Sequence, residues 1–245
     1  MIVARRTVLA AGAAAMIAPG ARAATSPFVG AVAANSVAQG FHPAPDGMEL
    51  PDVELVSPAG PRRLRNLRGR TLLLSLWAEW CAPCLIELPD LAALKTRHDS
   101  DRFQVVAVLT GARKKMEIPE TTALLAKVKA QAFEPLLEAA PGDRLLHALA
   151  AAGTADLGDG ILAKGKTSLP CNLLVDPRGR VVARQFGLQS APLRSTETIP
   201  ANASLQEKMA AAKRIMAAGQ MRSNWATPDG EAFTALLAEG RLFRR

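Results

Sequence analysis

Two cysteines standing three apart, Cys81 and Cys84, are the residues of this chain whose type and spacing most directly offer chemistry. Such a pair can close into a disulfide and reopen by thiol exchange. It can instead form a local structural bridge, or supply half of a tetrahedral zinc site. Zinc needs two further ligands. The remaining candidates, Cys171, His42, His98 and His147, show no second pair at finger-like spacing. The sequence therefore favours dithiol exchange, with the odd third cysteine, Cys171, still to be explained.

The segments around the pair decide whether it can be reactive. Thr71 to Trp77 is a continuous apolar run, the pattern of a strand buried on both faces in a parallel sheet. After Cys84, the residues Leu85, Leu88, Leu91, Ala92 and Leu94 recur at helical spacing, and Lys95 and Arg97 suit a helix C-terminus. The pair thus falls where a strand hands over to a helix. A sulfur at a helix N-terminus is stabilised as thiolate by unpaired backbone N–H groups and the helix dipole. Cys81 is accordingly the expected nucleophile. Cys84, one turn further in, is placed to attack a mixed disulfide on Cys81 and release the reduced partner. Pro83 falls in the first turn, where a missing N–H costs little. Pro89 lies deeper, removes the bond to the Leu85 carbonyl and is expected to kink the helix.

The stretch Trp77-Ala78-Glu79-Trp80-Cys81-Ala82-Pro83-Cys84, continuing to Glu87 and Pro89, resembles the active site of the thioredoxin superfamily, specifically its exported TlpA-like and ResA-like branch. The approach through Leu50-Pro51-Asp52, a turn at residues 57–61 and Leu67-Arg68-Gly69-Arg70 is similar to that branch too. So is Ser168-Leu169-Pro170, followed by a strand from Asn172 to Val175, the turn Asp176-Pro177-Arg178-Gly179 and a strand ending at Phe186. The resemblance covers residues 48–187 with gaps, and residues 225–240. It implies an α/β thioredoxin fold, a central mixed β-sheet flanked by helices. It also implies a cis Leu169–Pro170 bond that leaves the Leu169 backbone able to pair with an extended substrate segment, where an ordinary trans turn proline is the plain alternative. Glu87 matches an acidic residue near the cysteines of the ResA-like branch and would raise a thiol pKa or relay its proton; otherwise it is a solvated acid on the helix surface. Trp80 would shield the disulfide and meet partners, unless it belongs to the core.

Two positions depart from the family pattern. Ser75 stands where thioredoxins place a buried aspartate, so the role of carboxylate base is vacant or passes to Glu87. Cys171 follows Pro170, where relatives more often carry threonine or valine. It modulates the redox pair, or joins it in soft-metal binding such as Cu(I), or is a buried apolar cysteine opening a core strand.

The rest of the chain bears on compartment and size. Arg5-Arg6, the weakly apolar run from Val8 to Ala18 and Ala21-Arg22-Ala23 have the layout of a twin-arginine-like export signal over residues 1–23. An uncleaved inner-membrane anchor facing the periplasm is the alternative. Cleavage would remove three arginines and no acid, taking the formal charge from +8 to +5. The remaining positive charge is interspersed with acids and there is no tyrosine, which speaks against a nucleic-acid platform. Residues 24–47, rich in Ala, Ser, Pro and Gly, read as a flexible lead-in. Residues 48–245 then form one thioredoxin-like domain with insertions near 111–167 and 188–224. Helical spacing recurs at Leu124, Leu125 and Val128, over residues 142–152 and 207–218, and over a last amphipathic helix at 230–239. No nucleotide or flavin loop is present, so no organic cofactor and no stable small-molecule ligand are expected. The resemblance implies a periplasmic thiol:disulfide oxidoreductase acting as reductant on exported protein disulfides, re-reduced by a membrane thiol electron donor, in cytochrome or copper-site biogenesis or disulfide repair. A copper-handling thiol protein and a disulfide donor are the alternatives.

Overall fold

A computed structural model describes residues 34–139, 144–153, 168–189 and 222–241, together with Val32, Ser204, Glu207, Ala210, Ala211 and Arg214. The expected export signal, the first part of the lead-in and most of the expected 207–218 helix lie outside the described residues. Eight strands form one sheet in the order β1-β8-β7-β4-β5-β6-β2-β3. They are β1 (His42–Pro43), β2 (Glu54–Ser57), β3 (Gly60–Arg63), β4 (Thr71–Trp77), β5 (Phe103–Leu109), β6 (Leu137–Glu138), β7 (Cys171–Val175) and β8 (Val181–Phe186). The apolar run of β4 is buried at every position because it lies between parallel β5 and antiparallel β7. Helix α2 (Ala82–His98) connects β4 to β5. The antiparallel β7–β8 hairpin then extends the sheet on the other side of β4. This is the mixed-sheet α/β thioredoxin arrangement that the sequence implied.

The sheet separates two apolar clusters. One face carries Leu73 and Trp77 of β4 with Leu174 of β7, packed against Cys81, Cys84, Leu88 and Leu91 of α2. The other carries Leu72, Leu74 and Leu76 with Cys171, Leu173 and Val175, beneath Leu145, Leu146 and Leu149 of α4 (Arg144–Gly153). Each fully buried leucine contributes about 1.5–3 kcal/mol, so both layers hold the strand that presents the cysteines. The hairpin turn forms as its sequence requires. The Gly179 N–H donates to the Asp176 carbonyl at 2.9 Å, and Gly179 takes φ +88°, a left-handed geometry that suits glycine.

The domain begins earlier than the sequence indicated. Within the supposed lead-in, α1 (Ser36–Gln39) is N-capped by Asn35, whose Oδ1 accepts from the N–H groups of Val37 and Ala38 at 2.9 and 3.1 Å. Val37, Ala38 and Phe41 are buried, and β1 pairs with β8 through His42 opposite Arg184. The C-terminal helix α5 (Pro228–Ala238) closes over this segment. Asn35 Nδ2 donates to the Asp229 carbonyl, and the Ser36 N–H donates to Asp229 Oδ2, both at 2.8 Å. Residues 35–43 thus belong to the fold because their partners lie far along the chain. Helix α3 (Ile118–Lys127) and α4 occupy the first expected insertion.

Candidate active site

Cys81 is the N-cap of α2, and its Sγ accepts from the Cys84 backbone N–H at 3.3 Å. The two sulfurs are joined in a disulfide, with the Cα atoms 5.3 Å apart. The pair therefore sits at the helix N-terminus expected from the sequence, with one of its otherwise unpaired backbone donors already on sulfur. Both cysteines are buried, Cys81 at 3 % and Cys84 at 1 % exposure. Pro83 lies in the first turn, and the helix runs on through Pro89 to Lys95, Arg97 and His98 in its last turn.

Trp80 stands beside the pair, 42 % exposed. Its Nε1 donates to the Gly111 carbonyl at 2.9 Å, and the Arg113 guanidinium lies 4.3 Å from the centroid of its ring. Glu79 Oε1 accepts from the Arg113 N–H at 2.9 Å, so the loop after β5 holds the indole at the mouth of the site. Leu169–Pro170 is a cis bond at the start of β7. Leu169 packs partly against both core clusters.

Glu87 is no surface acid: it is 1 % exposed. One turn beyond Cys84, it projects from the same side of α2 toward the sheet. Its Oε1 accepts two hydrogen bonds, from Asn172 Nδ2 at 3.0 Å and from Trp225 Nε1 at 2.7 Å. Among the described residues its Oε2 has no hydrogen-bond partner. Asn172 Nδ2 also donates to Gln185 Oε1 at 2.9 Å. Burial pushes the Glu87 carboxyl up to about 7; the bonds from Asn172 and Trp225 oppose that rise, and Asp90 adds to it. Ser75, also buried, pairs with Asn172 in the β4–β7 register, so this network lies beneath the position where thioredoxins carry their aspartate.

Cys171 is not brought to the pair. Side chains alternate along β7, so Asn172 and Leu174 face α2 while Cys171 packs with Leu72, Leu74 and Leu76 in the cluster on the other face. Burial pushes its thiol up to about 12, with the Arg184 charge opposing and Glu87 adding to the rise. This is the geometry of the apolar core cysteine.

Sequence reasoning passed over Asn172, Gln185 and Trp225. Asn172 did leave a signal, as the one polar residue in the otherwise apolar run of β7. Trp225, 138 residues from Glu87, left none beyond being one of three tryptophans.

The family model described as the AhpC/TSA family matches residues 42–208. The chain is 36 % identical over 64 residues to the thioredoxin-like protein YneN of Bacillus subtilis, covering 26 % of this chain and 37 % of that protein. It is 32 % identical over 81 residues to the thiol-disulfide oxidoreductase ResA of the same organism, covering 33 % of this chain and 45 % of that one. The matched span is less than half the length of either curated relative. Among solved structures, a DsbE-type thiol:disulfide interchange protein from Chlorobium tepidum is similar at 22 % identity and a TM-score of 0.40, covering 71 % of this chain and 96 % of that one. StoA from Bacillus subtilis is similar at 18 % identity and a TM-score of 0.37, covering 56 % and 89 %. With a family match spanning most of its length and including the cysteine pair, this chain belongs to the AhpC/TSA family, on the TlpA- and ResA-like side of the thioredoxin superfamily.

Proposed function

We propose that this protein is an exported thiol:disulfide oxidoreductase that reduces disulfides of periplasmic protein partners through Cys81 and Cys84. The observation that carries the reading is the cysteine pair at the N-terminus of α2, one turn from a buried carboxyl whose pKa lies near neutrality. In the reduced protein Cys81, held as thiolate by the helix terminus, attacks one sulfur of the partner disulfide. A Cys81–partner disulfide forms and the other partner sulfur leaves as thiolate. Ionised Glu87 takes the proton of the Cys84 thiol. The Cys84 thiolate displaces the second partner sulfur from Cys81 Sγ, closing the intramolecular disulfide. Two electrons have passed to the partner, whose thiolates take up protons from solvent. A membrane thiol donor then returns two electrons to the pair. Trp80 and the Leu169–Pro170 loop flank the mouth where the partner segment docks. Export rests on the twin-arginine-like pattern of residues 1–23; among the described residues no helix is long and apolar enough to cross a membrane.

The test is the reduction potential of the pair in glutathione and dithiothreitol buffers, with Cys171→Ser as control. The expected result is a reversible two-electron couple well below the glutathione couple, unchanged by the control, with Cys84→Ser trapping a partner as mixed disulfide. A potential at the oxidising end would reverse the direction to disulfide donation. A pair that does not cycle between dithiol and disulfide would overturn the enzyme reading.

A further inference from the structure

The Glu87 carboxyl is held partly from outside the matched family region. Trp225 lies in the segment 222–241, beyond the residues matched by the family model, yet its indole N–H makes the shorter of the two bonds to Glu87 Oε1. That segment is fastened to α2 at several points. The Ser223 N–H and Oγ both donate to Asp90 Oδ2, at 3.2 and 2.8 Å, one helical turn beyond Glu87. Trp225 is buried, with its ring centroid 6.1 Å from those of both Phe41 and Phe233. The first turn of α5 presses on it so closely that a Cβ on Gly230 would lie 2.3 Å from the Trp225 carbonyl oxygen. Arg97 and His98, at the end of α2, meet Glu231 of α5 at 2.7 and 2.6 Å. The indole is thus packed on both sides, with its N–H donating to Oε1.

We propose that Trp225 is a positioning residue for the resolving step, and that docking of the C-terminal segment sets the proton affinity of Glu87 and leaves Oε2 as the oxygen that exchanges the proton with Cys84. The inference rests on the reading of Glu87 as the proton partner of Cys84. Oε1 is saturated by two N–H donors, so the proton of neutral Glu87 resides on Oε2. Both donors favour the ionised form. Without Trp225 the carboxyl would hold its proton to higher pH. The other ionisable groups facing Glu87 leave this assignment intact. Asp90 is engaged by Ser223 and Arg222, Cys84 is one turn back, and Cys171 and Arg184 lie across the sheet.

The test replaces Trp225 in the full chain with 3-benzothienylalanine, which keeps the bicyclic ring and substitutes sulfur for N–H. Two readouts are taken. The first is the titration midpoint of the Glu87 carboxyl in oxidised protein, by carbon NMR with Glu87→Gln for assignment. The second is the pH profile of the single-turnover release of a partner from Cys81. The expected shift is upward by about one pH unit in both, the effect of losing one hydrogen bond to a charged group. Gly230→Ala, which forces the Trp225 backbone to move, provides a second variant and is expected to shift both midpoints the same way. Unchanged midpoints in folded variants would overturn the inference. If Glu87→Gln itself leaves the release profile unaltered, the proton role of Glu87 fails instead. If Glu87→Gln flattens the profile and the Trp225 analogue does not move it, only the role of Trp225 fails.

Discussion

Replacing Glu87 by glutamine should remove the part of the pH dependence of stability that this carboxyl causes. In the folded protein the Glu87 carboxyl holds its proton up to about 7, against an ordinary value of 4.5. Between those values the folded state binds a proton that the unfolded chain has released, so stability falls as pH rises. The contribution is fully present below the unfolded value and lost once pH has passed the folded one. Two and a half pH units correspond to about 3 kcal/mol, or about 6–12 °C in melting temperature for a chain of this size. The amide of the Glu87→Gln variant offers a carbonyl oxygen to the same donors, Asn172 and Trp225, and never ionises. The quantity to measure is the difference in unfolding free energy between variant and parent, both oxidised, at half-unit steps from pH 4.5 to 8. Taking the difference cancels Asp52, Asp176, Asp229 and Glu231, whose carboxyls are all held below their ordinary values. The variant should gain about 3 kcal/mol on the parent across the window, with the change complete near pH 7.5. A difference that stays level from pH 5 to 8 would refute the reasoning, because the carboxyl would then ionise alike in both states.

Two other perturbations test the same layout. In reduced native protein at pH 8, Ellman's reagent should find two reactive thiols, with the third released only on unfolding, because Cys171 is fully buried and its thiol is pushed up to about 12; three fast thiols would place Cys171 at the site mouth. Ser75→Asp, which restores the acid of thioredoxins opposite Asn172, would set a second carboxyl in the Glu87 network and should cost about 3 kcal/mol at pH 8 by denaturant melts. A variant as stable as the parent would show that the β4 position is solvated.

The parts of the fold legible in the sequence were those whose instructions are local. Thr71–Trp77 and Phe103–Leu109 appear as strands because predominantly apolar segments of seven suit a strand covered on both faces. Asp176-Pro177-Arg178-Gly179 forms its turn because proline and glycine permit little else there. Cys81 reached the N-cap because a strand ends and a helical period begins on either side of it. Residues 35–43 escaped notice because their stability comes from distant partners: Asp229 for Asn35 and Ser36, and Arg184 for His42. The face of Cys171 depended on strand parity, which a register of β7 against β4 fixes and one strand's composition does not. Glu87 was identified by its match to an acidic residue of the ResA-like branch, and its spacing from Cys84 suits a surface acid equally well. Its burial comes from residues 85 and 138 positions away, which no local pattern joins to it.

On the proposed reading, exchange of a proton with Cys84 makes two demands on Glu87, and its placement meets both. An exposed carboxyl would stay ionised throughout the neutral range and could not give its proton back, while a buried carboxyl without donors would stay neutral and could not take one from Cys84. General acid–base transfer works best when the group titrates near the working pH. Burial beneath α2 raises the carboxyl, and the two N–H donors on Oε1 restrain the rise, so it settles at about 7. The restraint has to be rigid, since a donor that swings away shifts the titration by about a pH unit. Asn172 is fixed by its strand and by Gln185. Trp225 is fixed by Phe41 from the N-terminal segment and Phe233 from the C-terminal helix, packed against it from either end of the chain. In the proposed cycle, the aromatic cluster that joins Phe41, Trp225 and Phe233 therefore also tunes the proton exchange of Glu87.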